Sequence, residues 1–101
     1  MTEKIYFCQI GRDGPIKIGI TLYPASRINT IRSCNPSTVR CLGTIANQSK
    51  DDEKAILLRF RDSRIRGEWF SPTPELLGFI ADNSTNEYSF AINVWKEEIN
   101  A

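Results

Sequence analysis

Tyr6, the run Lys17-Ile18-Gly19 and Arg27 are the residues of this chain best suited to chemistry. A phenol can hold or move a proton, a guanidinium can meet charge building on phosphorus, and a glycine lets another group approach the backbone. Together these groups can act on a phosphodiester without an imidazole. That matters because the 101-residue chain contains no histidine. Ser-His and Cys-His nucleophiles are thereby excluded, and a metal would have to rest on carboxylate oxygens, which favour Mg, Mn or Ca over Zn. Tyr6 has a reference pKa of about 10, so it serves as a general base only if positive charge lowers that value. Lys17 and a phosphate-bound metal are the candidates for that charge.

These side chains need a scaffold. Residues 4–10 (KIYFCQI) are β-branched and aromatic and read as a strand, closed by the turn-forming run Gly11-Arg12-Asp13-Gly14-Pro15. Residues 16–21 (IKIGIT) alternate with period two, placing Ile16, Ile18 and Ile20 on one face and Lys17, Gly19 and Thr21 on the other. The two segments predict an antiparallel hairpin with a five-residue loop, polar and sterically open on the Gly19 face. Pro24 suits a first helical turn, and residues 25–32 continue as a helix that carries Arg27 and turns Ile28 and Ile31 inward.

A third strand is expected over residues 39–46 (VRCLGTIA), then a helix from Lys50 to about residue 62, capped by Ser49. Its first turn holds Asp51, Asp52 and Glu53, where the helix dipole favours negative charge. Residues 64–70 (RIRGEWF) read as one short extended piece, and residues 74–81 (PELLGFIA) as a helix capped by Thr73. The tail alternates as a strand would at Tyr88, Phe90, Ile92 and Val94, but Lys96-Glu97-Glu98 favour a helix. The expected fold is α+β: a small three-stranded, mainly antiparallel sheet flanked by three or four helices. Residues 1–86 form the domain, and residues 87–101 form an extension packed on it.

Composition fits one small soluble domain, with 41% hydrophobic and 25% charged residues and no apolar run of membrane-spanning length. The N-terminus lacks the basic start and apolar run of a signal peptide, so a cytoplasmic location is expected. Cys8, Cys34 and Cys41 have no metal-ligand spacing and are expected to be small hydrophobes in a reducing compartment. Net charge is only +1, but residues 1–40 carry +4 and residues 69–101 carry −4. The basic character thus falls on the opening hairpin and its helix, with a second cluster at Arg59, Arg61, Arg64 and Arg66. Such a distribution suits a polyanion on one face.

The ordered set of Lys4-Ile5-Tyr6, Lys17-Ile18-Gly19, Arg27, Glu53 with Ile56 and Phe60, and Gly67-Glu68-Trp69-Phe70 resembles the GIY-YIG nuclease superfamily, in particular its short phage-type and bacterial branch. The match runs from Ile5 to about Ile80. The resemblance implies catalytic roles for Tyr6, Lys17, Gly19, Arg27 and Glu53, with Glu53 holding a single Mg²⁺ or Mn²⁺. It departs from the superfamily at four positions. Lys4 replaces the first glycine, Lys17 replaces the tyrosine of the second motif, and Ile31 and Leu57 stand where many members have tyrosine and histidine.

The implied activity is metal-dependent hydrolysis of phosphodiester bonds in DNA, most readily double-stranded. The alternative is a catalytically weak or inactive nucleic-acid-binding module of the same fold. Thr21, Arg32, Arg59, Arg61, Arg64 and Arg66 are expected to position phosphates. With no separate targeting domain in the sequence, discrimination among sites would call for a homodimer or a larger complex. A third, less favoured reading makes the acidic tail a protein-interaction segment.

Overall fold

The computed structural model describes residues 2–88 of the chain. In chain order the elements are β1 (Glu3–Ile10), β2 (Ile16–Thr21), α1 (Pro24–Ser33), β3 (Val39–Gln48), α2 (Lys50–Arg59), a single 3-10 turn (Arg61–Ser63), β4 (Arg64–Arg66), β5 (Trp69–Phe70) and α3 (Pro74–Asn83). The α+β class and the opening hairpin agree with the sequence reading, but the sheet has five strands, not three, in the order β3-β1-β2-β5-β4. Every pairing is antiparallel. The two additional strands come from residues 64–70, expected as one extended piece. Gly67 adopts a φ of 55°, which reverses the chain there and folds β4 back on β5.

Central position explains why β1 is buried along almost its whole length. Its alternate side chains feed two cores on opposite faces of the sheet. Ile5 and Phe7 join Ile16, Ile18 and Phe70 against Ile56 and Phe60 of α2 and Leu76 and Ile80 of α3. Tyr6 and Cys8 join Val39 and Cys41 against Ile28 and Ile31 of α1. The molecule is therefore layered, with α1 on one face of the sheet and α2 and α3 on the other.

Local chemistry sets most of the helix boundaries. Ser49 and Asp52 form a reciprocal capping box at the start of α2, and the Thr73 hydroxyl accepts from the Leu76 amide at the start of α3. Helix α2 is shorter than expected, ending at Arg59 before the 3-10 turn, and its Ala55 and Leu58 face solvent while Ile56 and Phe60 face the core. Beyond α3, Thr85 exchanges backbone hydrogen bonds of 2.8 and 2.9 Å with Thr44, covering part of the outer edge of β3. Lys4 then meets Glu87 at 2.8 Å, and its ammonium lies 5.3 Å from the centre of the Tyr88 ring. The helix expected in the tail lies, from residue 89 on, outside the described residues.

Two further expectations are corrected. Cys8 and Cys41 are buried opposite one another on β1 and β3, but Cys34 is exposed and so is no core hydrophobe. The polar face of β2 is also not open at Gly19, because it is covered from β1.

Candidate functional site

Antiparallel register places Tyr6 directly opposite Gly19. The Tyr6 ring lies across that glycine. A Cβ on residue 19 would sit 2.7 Å from Tyr6 Cε2 and would overlap Cζ and the hydroxyl. Gly19 is therefore required for space beneath the ring, and it makes that space for a residue of its own chain. The ring is only 1% exposed, packed with Ile28 and Ile31, while its polar end reaches an open cleft.

This cleft, of about 480 Å³, is where distant parts of the sequence meet. Tyr6 enters it from β1, Thr21 from the end of β2, Arg27 from the first turns of α1, and Lys50 and Glu53 from the first turn of α2. Glu3, Glu68, Leu22 and Tyr23 complete most of the wall. The capping box fixes the start of α2 and so aims Glu53, while the β1–β2 register aims Tyr6.

The electrostatics of the cleft are set by burial and by a pair of carboxyl groups. Burial pushes the Glu53 carboxyl up to about 7, helped by the Glu68 carboxyl lying against it and opposed by Lys50. Glu53 Oε2 is buried without a hydrogen-bond partner among the described residues. An ionised oxygen in that position is costly unless a proton or a cation joins it. Tyr6 is likewise pushed up to about 12, first by burial and then by the charge of Glu68, while Arg27 beside it acts the other way. In the free protein, then, burial and Glu68 outweigh the positive charge beside Tyr6.

Lys17 does not line the cleft. Its ammonium bonds Glu68 Oε1 at 3.3 Å and stands 5.5 Å from the centre of the Trp69 ring, so it reaches the other residues through Glu68. The cation beside the Tyr6 hydroxyl is Arg27.

The arginines expected to position phosphates divide. Arg61 and Arg64 share a second groove with Lys54, Leu57 and Leu58, and that groove meets the cleft at Glu68. Arg59 is stacked 4.8 Å from the Phe79 ring centre and 5.3 Å from that of Phe60. Arg66 is exposed on the edge strand β4. Arg32 lies apart from the cleft, beside Ser33, Asn35 and Pro36.

Sequence reasoning left Glu68 without a role and did not single out Lys50, Leu22 or Tyr23 as cleft residues. For Glu68 the signal was an acidic residue set between a turn glycine and two aromatics in strand context. For Tyr23 it was an aromatic immediately before Pro24, at a cap position where Ser, Thr, Asp or Asn is preferred.

The residues in the cleft supply oxygen donors and fixed cations and no nitrogen or sulfur ligand. Among the described residues no three Asp, Glu, Cys or His side chains gather as a metal-binding group. A divalent ion on Glu53 and Glu68 would then complete its shell with water and substrate oxygens, an arrangement Mg²⁺ readily accepts. The orphaned Glu53 oxygen and the carboxyl facing it fit such an ion. None of the helices among the described residues is long and apolar enough to cross a membrane.

No curated protein and no solved structure matches the chain. The family comparison is positive: the T5orf172 domain spans residues 3–95 and with them every residue of the cleft, and the chain belongs to that domain family.

Proposed function

We propose that the protein is a metal-dependent endonuclease of the GIY-YIG type, hydrolysing DNA phosphodiester bonds through a single divalent ion. Membership of the T5orf172 domain family supports the coarser reading of a nuclease-like or DNA-binding module. The observation that carries the finer one is the meeting of Tyr6, Arg27 and Glu53 in one cleft from three separate elements, with Gly19 making room for the tyrosine. Lys50 at one side, and Lys54, Arg61 and Arg64 in the adjoining groove, give a nucleic acid strand cationic flanks around the carboxyl pair.

Glu53, with Glu68 against it, would hold Mg²⁺ or Mn²⁺. Bound there, the ion supplies Lewis acidity toward the phosphate and the departing oxygen. Arg27 presents a planar, permanent charge to the oxygens on phosphorus, where negative charge grows as the water attacks. Tyr6, protonated at neutral pH in the free protein, would act as general base only after losing its proton to solvent with Glu68 neutralised. Its phenolate then takes the proton of that water as the new P–O bond forms, while the P–O bond to the departing oxygen breaks and that oxygen is protonated from bulk water. Neutralising the Glu68 carboxyl removes the second-largest upward push on Tyr6 and leaves burial as the main one, opposed by Arg27. Lys17 acts as a positioning residue, holding the Glu68 carboxyl between Tyr6 and Glu53.

The test is incubation of purified protein with supercoiled plasmid and Mg²⁺ or Mn²⁺. Nicking is expected, abolished by Glu53→Ala and slowed about a hundredfold by Arg27→Ala. Nicking no greater than that of Glu53→Ala refutes the reading. The second reading, a non-catalytic DNA-binding module, draws on the raised Tyr6 pKa and the engagement of Lys17 by Glu68. It predicts binding that weakens with salt and is indifferent both to metal and to Tyr6→Phe.

A further inference from the structure

Tyr23 breaks a local rule. It occupies the N-cap of α1, yet its side chain makes no capping bond, and the ring is left 61% exposed beside Leu22 at 41%. A serine or asparagine there would stabilise the helix start, so the position is spent on something other than the helix. Both side chains line the cleft that holds Tyr6, Arg27 and Glu53. The Arg27 amide donates to the Tyr23 carbonyl at 3.0 Å, which puts the two residues one helical turn apart. The Tyr23 and Arg27 side chains therefore enter the one cleft from the start of α1.

A nucleotide has a matching layout: an anionic phosphate and, a few ångströms away across the sugar, a flat apolar base. We propose that Tyr23, flanked by Leu22, stacks on an unpaired base of the DNA strand whose phosphate faces Arg27. The site then takes single-stranded or locally opened DNA in preference to intact duplex. The inference rests on the reading that the cleft receives DNA, and it narrows the expected double-stranded substrate. Its physical basis is that every base offers a π-face to an aromatic side chain, whereas a base inside a duplex has both faces already covered.

The experiment measures binding by fluorescence anisotropy in EDTA, so that no cleavage intervenes, on three labelled probes. These are a dT15 strand, the same strand in duplex with dA15, and a 15-unit strand of abasic deoxyribose phosphates. Wild type is expected to bind dT15 more tightly than either other probe. Tyr23→Ala should weaken dT15 binding about five- to a hundredfold, leave the abasic strand unchanged, and be rescued by Tyr23→Phe. Tyr23→Trp should show indole quenching on addition of dT15 and none with the abasic strand. Equal loss on dT15 and abasic strand, or no loss on either, overturns the proposal while leaving DNA binding intact. If wild type binds none of the three probes, in EDTA and again with Ca²⁺ added to occupy the carboxyl pair, the nucleic-acid reading falls and takes the proposal with it. Tyr23 contributes to neither core, so folding of the variants is not at stake, and a thermal melt checks that directly.

Discussion

Replacing Gly19 with alanine should destabilise the protein, although the residue lies in a regular strand and alanine is a small change. Gly19 does not have a positive φ, unlike Gly11 at 64° and Gly67 at 55°, so its backbone would accept any L-residue. The obstacle is the Tyr6 ring, which a Cβ would approach to 2.7 Å at Cε2 and overlap at Cζ and the hydroxyl. That ring is packed with Ile28, Ile31 and Val39, none more than 7% exposed, and has little room to withdraw. Overpacking of this kind costs about 1 to 3 kcal/mol. For a domain of this size that corresponds to a fall in Tm of roughly 5 to 20 °C.

The decisive assay is a double-mutant cycle by urea denaturation, with Tyr6→Leu as the second substitution. Leucine lacks the three atoms that the new Cβ would meet. In that background Gly19→Ala should become neutral or stabilising by about 0.4 to 1 kcal/mol, because alanine restricts the unfolded chain more than glycine does. The coupling energy between the two sites should therefore be at least about 1 kcal/mol. If Gly19→Ala costs the same in both backgrounds, the close approach of Tyr6 is not the reason for the glycine, and the geometry assigned to the cleft is wrong with it.

Three more outcomes follow from the same structure. With Glu53 raised to about 7 from its ordinary 4.5, the folded protein binds more protons than the unfolded chain between those values. Stability in EDTA should therefore fall as pH rises through that window, by about 1 to 2 kcal/mol after discounting for the partial exposure of the group. Glu53→Gln should flatten that slope, and an unchanged slope would reject the assignment. Ser49→Ala removes one half of the capping box of α2 and should cost about 1 kcal/mol in denaturant titrations. Ellman's reagent should find one fast thiol, Cys34, in the native protein; Cys8 and Cys41, buried against each other and with the Cys8 thiol pushed up, should react only on unfolding. Cys34→Ser should remove the fast phase.

Elements whose signals are local were legible from the chain. Period-two alternation in residues 16–21, the turn at residues 11–15, the prolines at helix starts and the caps at Ser49 and Thr73 each depend on neighbours a few residues away, and the structure forms them all. The same held for the shared face of Lys17, Gly19 and Thr21, because alternation fixes faces. What covers a face is a different question, set by partners dozens of residues distant. Residues 64–70 formed two strands because Gly67 turns them and the exposed edge of β2 accepts them.

The candidate site divides in the same way. Residue chemistry pointed to Tyr6 and Arg27, and the resemblance to the GIY-YIG superfamily pointed to Glu53, because the chemistry of a phenol, a guanidinium and a carboxylate belongs to the side chains themselves. Their protonation does not. Burial of Tyr6, its distance from Lys17, and the arrival of Glu68 against Glu53 depend on how β5 lies beside β2 and how α2 packs over the sheet. Desolvation and charge proximity act through space and not along the chain. The amino-acid order could therefore name the reactive groups, while the folded arrangement set their charge states and placed Glu68 among them.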